Sequence, residues 1–231
     1  MTEEQWRACD DPRRMLDFLR GKATERKVRL FAAASVRRVW TLLTDERSRG
    51  ALEVAERFAD RLANEEELAE AEWAAAEAVV ATRGEEAGLN PVCFAALAAH
   101  VSARNDLSGP GSLTFLDGVS NGTGVAALAV RPADAEERRS QAGLLRRIIG
   151  NPFRPASLDP AWLTPTVTSL ATVVYEERAL PSGELDTARL AVLADALEEA
   201  GCDNADVLGH LRGPGPHVRG CWAVDLLTGR S

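Results

Sequence analysis

The chain has 231 residues, of which 45% are apolar, and a formal net charge of −8. That apolar share is enough for a core in one large or two small domains, so disorder is excluded as the default state. The acidic balance favours solubility and argues against sequence-blind binding to a phosphate backbone.

Alanine and leucine supply most of the apolar content, and arginine and glutamate much of the rest, a composition that favours helix over strand. The predicted fold class is therefore all-α, a multi-helix bundle or irregular helical array with a glycine-rich insertion. In chain order, Thr2 caps a first short helix through Glu4 and Trp6, and Asp10 or Asp11 before Pro12 marks a second start. Gly21 ends that segment. From Thr24 to about Leu43, Val28, Phe31, Ala32, Ser35, Val39 and Leu42 hold one face, and Leu30, Ala34, Val36, Trp40 and Leu43 widen it, which predicts one long, mostly buried helix. Thr44 or Asp45 opens the next, with Ala51, Val54, Ala55, Phe58 and Leu62 at helical spacing. Asn64 with Glu67 three residues on predicts a capped helix through Trp73 to about Thr82. Gly84 and Gly88 break it, and Asn90 before Pro91 begins an apolar helix over 92–101 that contains Cys93, Phe94 and His100.

Residues 104–133 hold five glycines and predict a flexible connection between an N-terminal helical region, 1–103, and a C-terminal one, 134–231, packed on the first. Residues 135–149 return to helix, with Arg138, Arg139, Arg146 and Arg147 expected at the surface. Pro160 and Trp162 open a helix towards Arg178, and residues 186–200 form an amphipathic helix stopped by Gly201. Asn204 starts a short helix through His210, Pro214 and Pro216 interrupt it, and a last helix is predicted from about His217 to Leu227.

The strings Gly-Asn-Pro-Phe-Arg-Pro at 150–155, Asp-Pro-Ala-Trp-Leu-Thr-Pro at 159–165, Ala-Asp-Ala-Leu-Glu-Glu-Ala-Gly-Cys at 194–202 and Gly-Pro-Gly-Pro-His-Val-Arg-Gly-Cys-Trp at 213–222 resemble those of a large family of uncharacterised bacterial proteins. The opening, residues 6–49, resembles it too. The resemblance implies bacterial relatives and no particular activity. Members of that family tend to carry cysteines at the positions of Ala33, Ala34 and Ser35, and often at that of Leu211, where this chain departs from the pattern.

Chemistry-bearing residues concentrate in the last thirty positions. His217 and Cys221, four apart, would share a helical face and can chelate one zinc ion, with Cys202 and His210 folding back to complete a Cys2His2 tetrahedron. The same cysteines read more readily as small core residues. A Cys/His nucleophile would also need an orienting group and an oxyanion hole, which the pattern does not specify, so an enzyme is disfavoured.

Residues 1–49 carry twelve Lys/Arg against eight Asp/Glu, and residues 50–99 three against eleven. Arg37, Arg38, Arg47 and Arg49 are the candidate partner-binding cations of the basic stretch. Neither a leader nor an apolar run long enough for a membrane is read, and the four cysteines are too widely spaced for a disulfide framework, which together predict a cytoplasmic protein with free thiols. The function expected is a non-enzymatic helical module that binds another protein. The alternatives are a zinc-binding module using Cys202, His210, His217 and Cys221, and a nucleic-acid binder using the basic N-terminal helix.

Overall fold

The computed structural model describes residues 1–82, 91–103 and 134–230. The connection expected at 104–133 and the helix break expected at Gly84 and Gly88 lie outside them. Among the described residues the regular structure is helical, eleven α-helices and two short 3-10 turns, with two isolated β-bridges and no strand, so the fold is all-α. No described helix is long and apolar enough to cross a membrane. The chain divides into two compact units, Met1–Leu145 and Arg146–Ser231.

The first unit holds α1 (Glu3–Ala8), α2 (Pro12–Phe18), α3 (Glu25–Arg37), α4 (Glu46–Ala59), α5 (Glu65–Thr82), α6 (Pro91–Ala103) and most of α7 (Asp134–Ile149). Its starts are set by local chemistry. Thr2 forms a full capping box with Gln5, and Asp11, Thr24 and Asp45 each accept a backbone N–H of the first turn. Asn64 and Glu67 bond reciprocally, each side chain taking the other's backbone N–H at 2.9 Å. The long helix expected to reach Leu43 stops instead at Arg37. The chain then tightens into a 3-10 turn at Trp40–Leu42, which still delivers Val39 and Leu43 to the same buried cluster as Val36, so the apolar spacing fitted either geometry.

Helices α4, α5 and α6 pack on one another through small residues, Ala51, Ala55, Ala75 and Ala103 around Leu68, which lets the helix axes approach closely. Two buried arginines of α3 are engaged against this group: Arg37 grips Glu56 of α4 with two bonds of 2.6 and 2.8 Å, and Arg29 pairs with Glu25 at 2.6 Å and donates to the carbonyl of Ser102 on α6 at 3.1 Å. Burial lowers the Arg29 pKa, and the neighbouring Glu25 carboxylate opposes that. The start of α7 belongs to this unit because Glu137 pairs with Arg38 at 2.9 Å and Arg139 with Asp10 at 3.2 Å. The division between the two units thus falls inside α7.

The second unit contains α8 (Pro165–Glu176), α9 (Thr187–Glu199), α10 (Ala205–Leu211) and α11 (Trp222–Thr228). The helix expected to open at Pro160 is only a 3-10 turn, Pro160–Trp162. Thr164, preceding Pro165, is forced to an extended ψ of 159° and there caps α8. Val167, Tyr175, Leu190, Leu193, Leu197, Val207, Leu211, Val224 and Leu227 form the core, where each fully buried aliphatic side chain contributes about 1.5–3 kcal/mol.

Candidate functional site

The site is assembled by α10, the loop after it and the start of α11. Asn204 caps α10 by accepting the N–H groups of Asp206 and Val207, and the helix carries His210 in its last turn. The chain then folds back at Gly213, where a Cβ would lie 3.1 Å from the carbonyl oxygens of both Gly209 and His210. Residues 217 and 218 are extended: Leu185 donates its N–H to the His217 carbonyl at 2.8 Å, and Glu184 bridges Val218. Gly220, at a φ of +81°, turns the chain into Cys221, the N-cap of α11.

His217 and Cys221 therefore do not share a helix, contrary to the expectation from their spacing. A segment some thirty residues upstream holds 217–218 extended, so α11 starts five residues late. The turn nevertheless brings them together. The Cys221 sulfur stands 3.8 Å from Nδ1 of His217 and 3.1 Å from Nε2 of His210, and one ligand atom from each of the three lies within 4.8 Å of the others. The two imidazoles meet edge to face with centroids 4.9 Å apart. Cys221 and His217 are fully buried, whereas His210 is partly exposed.

Partner chemistry assigns the tautomers. The indole Nε1 of Trp222, which can only donate, lies 3.0 Å from Nδ1 of His210, so Nδ1 carries the lone pair and Nε2 the proton that faces the sulfur. Nε2 of His217 lies 3.2 Å from the Gly213 carbonyl, which can only accept, and 3.4 Å from Nη1 of Arg147, which can only donate; the shorter contact favours the proton on Nε2, and Nδ1 then turns its lone pair to Cys221. Both rings are shifted towards the neutral form. Burial is the main cause, helped by His217 and Arg147, and lowers His210 to about 3. His217 is lowered by burial and by Arg147, against the Gly213 bond that favours its charged form.

Arg147, expected at the surface, is half-buried. Its Nη2 donates to the carbonyls of Pro214 and Gly215, pinning the loop that carries His217. Burial lowers its pKa, while the nearby Cys221 opposes the shift. Gly150, at a φ of +77°, lies so close to Trp222 that a Cβ there would be 3.0 Å from the indole Cγ.

Of the four expected zinc ligands, three converge and Cys202 does not. Cys202 sits in the hydrophobic core, its N–H bonded to the Leu197 carbonyl as α9 ends, and is no member of the group of three. The expected arginine cluster is also not a free cationic surface. Arg37 is buried on Glu56, Arg38 pairs with Glu137, Arg47 with Asp45 and Glu77, and Arg49 with Glu46. His100 faces the Glu72 carbonyl at 3.2 Å, joining α6 to α5.

No family model, no curated protein and no solved structure matches this chain. Sequence reasoning missed the roles of Trp222, Arg147 and Gly213. Only the Gly-Pro-Gly-Pro string beside His217 hinted that the loop would fold back.

Proposed function

We propose that this protein is a non-enzymatic helical module of the cytoplasm that binds a basic, amphipathic helix of another protein along α5. The observation that carries this reading is Trp73, 71% exposed in mid-helix, with Val80 seven residues on at 69%. Helical geometry puts both on one outward stripe with Ala69 and Ala76, while Glu66, Glu70 and Glu77 line one side of it. α5 carries six carboxylates and no basic residue; Arg57 and Arg47 of α4 meet Glu67 and Glu77, and Glu66 and Glu70 beside the stripe favour a cationic partner, with Trp73 the central anchor. A shallow groove of about 370 Å³ between α4 and α5 shares Glu70 with this stripe and gives the partner's flank a seat. Arg37, Arg38, Arg47 and Arg49 are engaged in ion pairs, which weakens the case for nucleic acid among the described residues of this unit.

The test places a photo-crosslinking amino acid at Val80 in the full-length protein and identifies what it captures from the native host. The captured segment should be basic and amphipathic. Its affinity should fall at least thirtyfold in Trp73→Ala and weaken with salt. A captured segment that is acidic, or one whose affinity is the same in Trp73→Ala, would sink the reading.

A further inference from the structure

We infer that His210, His217 and Cys221 form a three-residue site in the second unit for a thiophilic d10 cation, zinc(II) or copper(I), independent of the α5 surface. The donor set is one thiolate and two imidazoles, the combination that soft and borderline cations prefer. In a tetrahedral zinc site, ligand atoms stand roughly 3.3–3.6 Å apart, given metal–sulfur and metal–nitrogen bonds of about 2.3 and 2.0 Å. The two edges meeting at the sulfur, 3.1 and 3.8 Å, bracket that value. Closure needs only the two rings to draw together from a spread of at most 4.8 Å.

The support around His217 is that of a ligand. Metal-bound imidazoles usually donate the second ring N–H to a carbonyl or carboxylate, and here the Gly213 carbonyl takes it, leaving Nδ1 aimed at the sulfur. The backbone bends at Gly213 and Gly220, with Arg147 pinning the loop between them, fix this ring and Cys221 before any cation arrives. His210 is the exposed edge of the group and the route of entry. Among the described residues no fourth ligand joins the group, so a zinc ion would complete its shell with water, while copper(I) is satisfied by three donors.

Binding replaces the Cys221 S–H bond by a sulfur–metal bond and releases that proton to solvent. The His210 proton moves from Nε2 to Nδ1 by exchange with water, and Trp222 gives up its acceptor. One proton is released per cation, so apparent affinity rises with pH.

The experiment titrates untagged, reduced, full-length protein anaerobically with cobalt(II), which reports thiolate ligation by a near-ultraviolet sulfur-to-metal band. One equivalent per chain should bind and give this band. It should disappear in Cys221→Ser, persist in Cys9→Ser, Cys93→Ser and Cys202→Ser, and weaken at least tenfold in affinity in His210→Gln, with helicity checked by circular dichroism. Competition with zinc(II) and copper(I), each buffered by a chromophoric chelator, then distinguishes the two cations, and tight binding of either supports the site. A wild-type protein without the band, or a band that survives in folded Cys221→Ser, would overturn the inference.

Discussion

Trp222 donates its indole N–H to Nδ1 of His210 over 3.0 Å, and this one bond decides which face of the imidazole the Cys221 sulfur meets. In the cation-free protein His210 thus offers the sulfur a proton, while His217 offers it a lone pair. The chain from Trp222 through His210, Cys221 and His217 to the Gly213 carbonyl is then a run of neutral, satisfied hydrogen bonds.

Trp222→Phe keeps an aromatic side chain but deletes the donor and trims the indole that packs against the core. It should lower the stability of the cation-free protein by about 1–3 kcal/mol, from the orphaned acceptor and the lost packing together. Because the competing donor is gone, Nε2 of His210 becomes free to ligate, and cation affinity should rise roughly tenfold. Denaturant melts and chelator competition on the same variant measure both.

The two site histidines make stability depend on pH. Both have folded-state pKa values below the ordinary imidazole value, His210 at about 3, so the unfolded chain binds more protons as pH falls below about 6.5. Their contribution is complete above that pH and is lost on acidification, with a slope of up to about 1.4 kcal/mol per pH unit for each ring. The groups facing them are Arg147, whose charge adds to the effect, and Cys221. Melts between pH 7 and pH 4 should show the loss, and His210→Gln should flatten it.

Gly150 supports the site from the start of the Gly-Asn-Pro-Phe-Arg-Pro string. Its φ of +77° disfavours any side chain, and a Cβ would press the Trp222 indole at 3.0 Å. Gly150→Ala should cost about 1–3 kcal/mol through backbone strain and displacement of the indole. Guanidinium melts give the cost, and a change in tryptophan emission would report the indole's movement.

The parts of this fold that were legible in the sequence are those decided within a few residues. Thr2, Asp11, Asp45 and Asn64 cap where their side chains can reach the next turn, and Gly201 takes the φ of +91° expected of a helix stop. What stayed hidden is decided at a distance. The spacing of His217 and Cys221 matches one helical face, but the Leu185 N–H holds the His217 carbonyl and the helix begins only after Gly220. Cys202 looked like a fourth ligand from its nearness in sequence, yet the end of α9 delivers it to the apolar core. Arg147 read as a surface charge because nothing near it in sequence announces the carbonyls of Pro214 and Gly215.

Arg37 offers the same lesson in the first unit, as a member of a seemingly basic face whose partner lies nineteen residues away on α4. Both side chains of the Arg37–Glu56 pair are almost wholly buried. Glu56→Ala takes away the carboxylate that faces the buried Arg37 guanidinium and should cost about 3–5 kcal/mol, enough to unfold a marginal domain. Replacing both, as in Arg37→Met with Glu56→Met, removes the desolvation cost along with the attraction and should fall close to the wild type in stability. The ordering of the three proteins in a urea melt decides the matter. A double variant as unstable as Glu56→Ala would mean that the pair's geometry, and not its charge balance, holds α3 against α4.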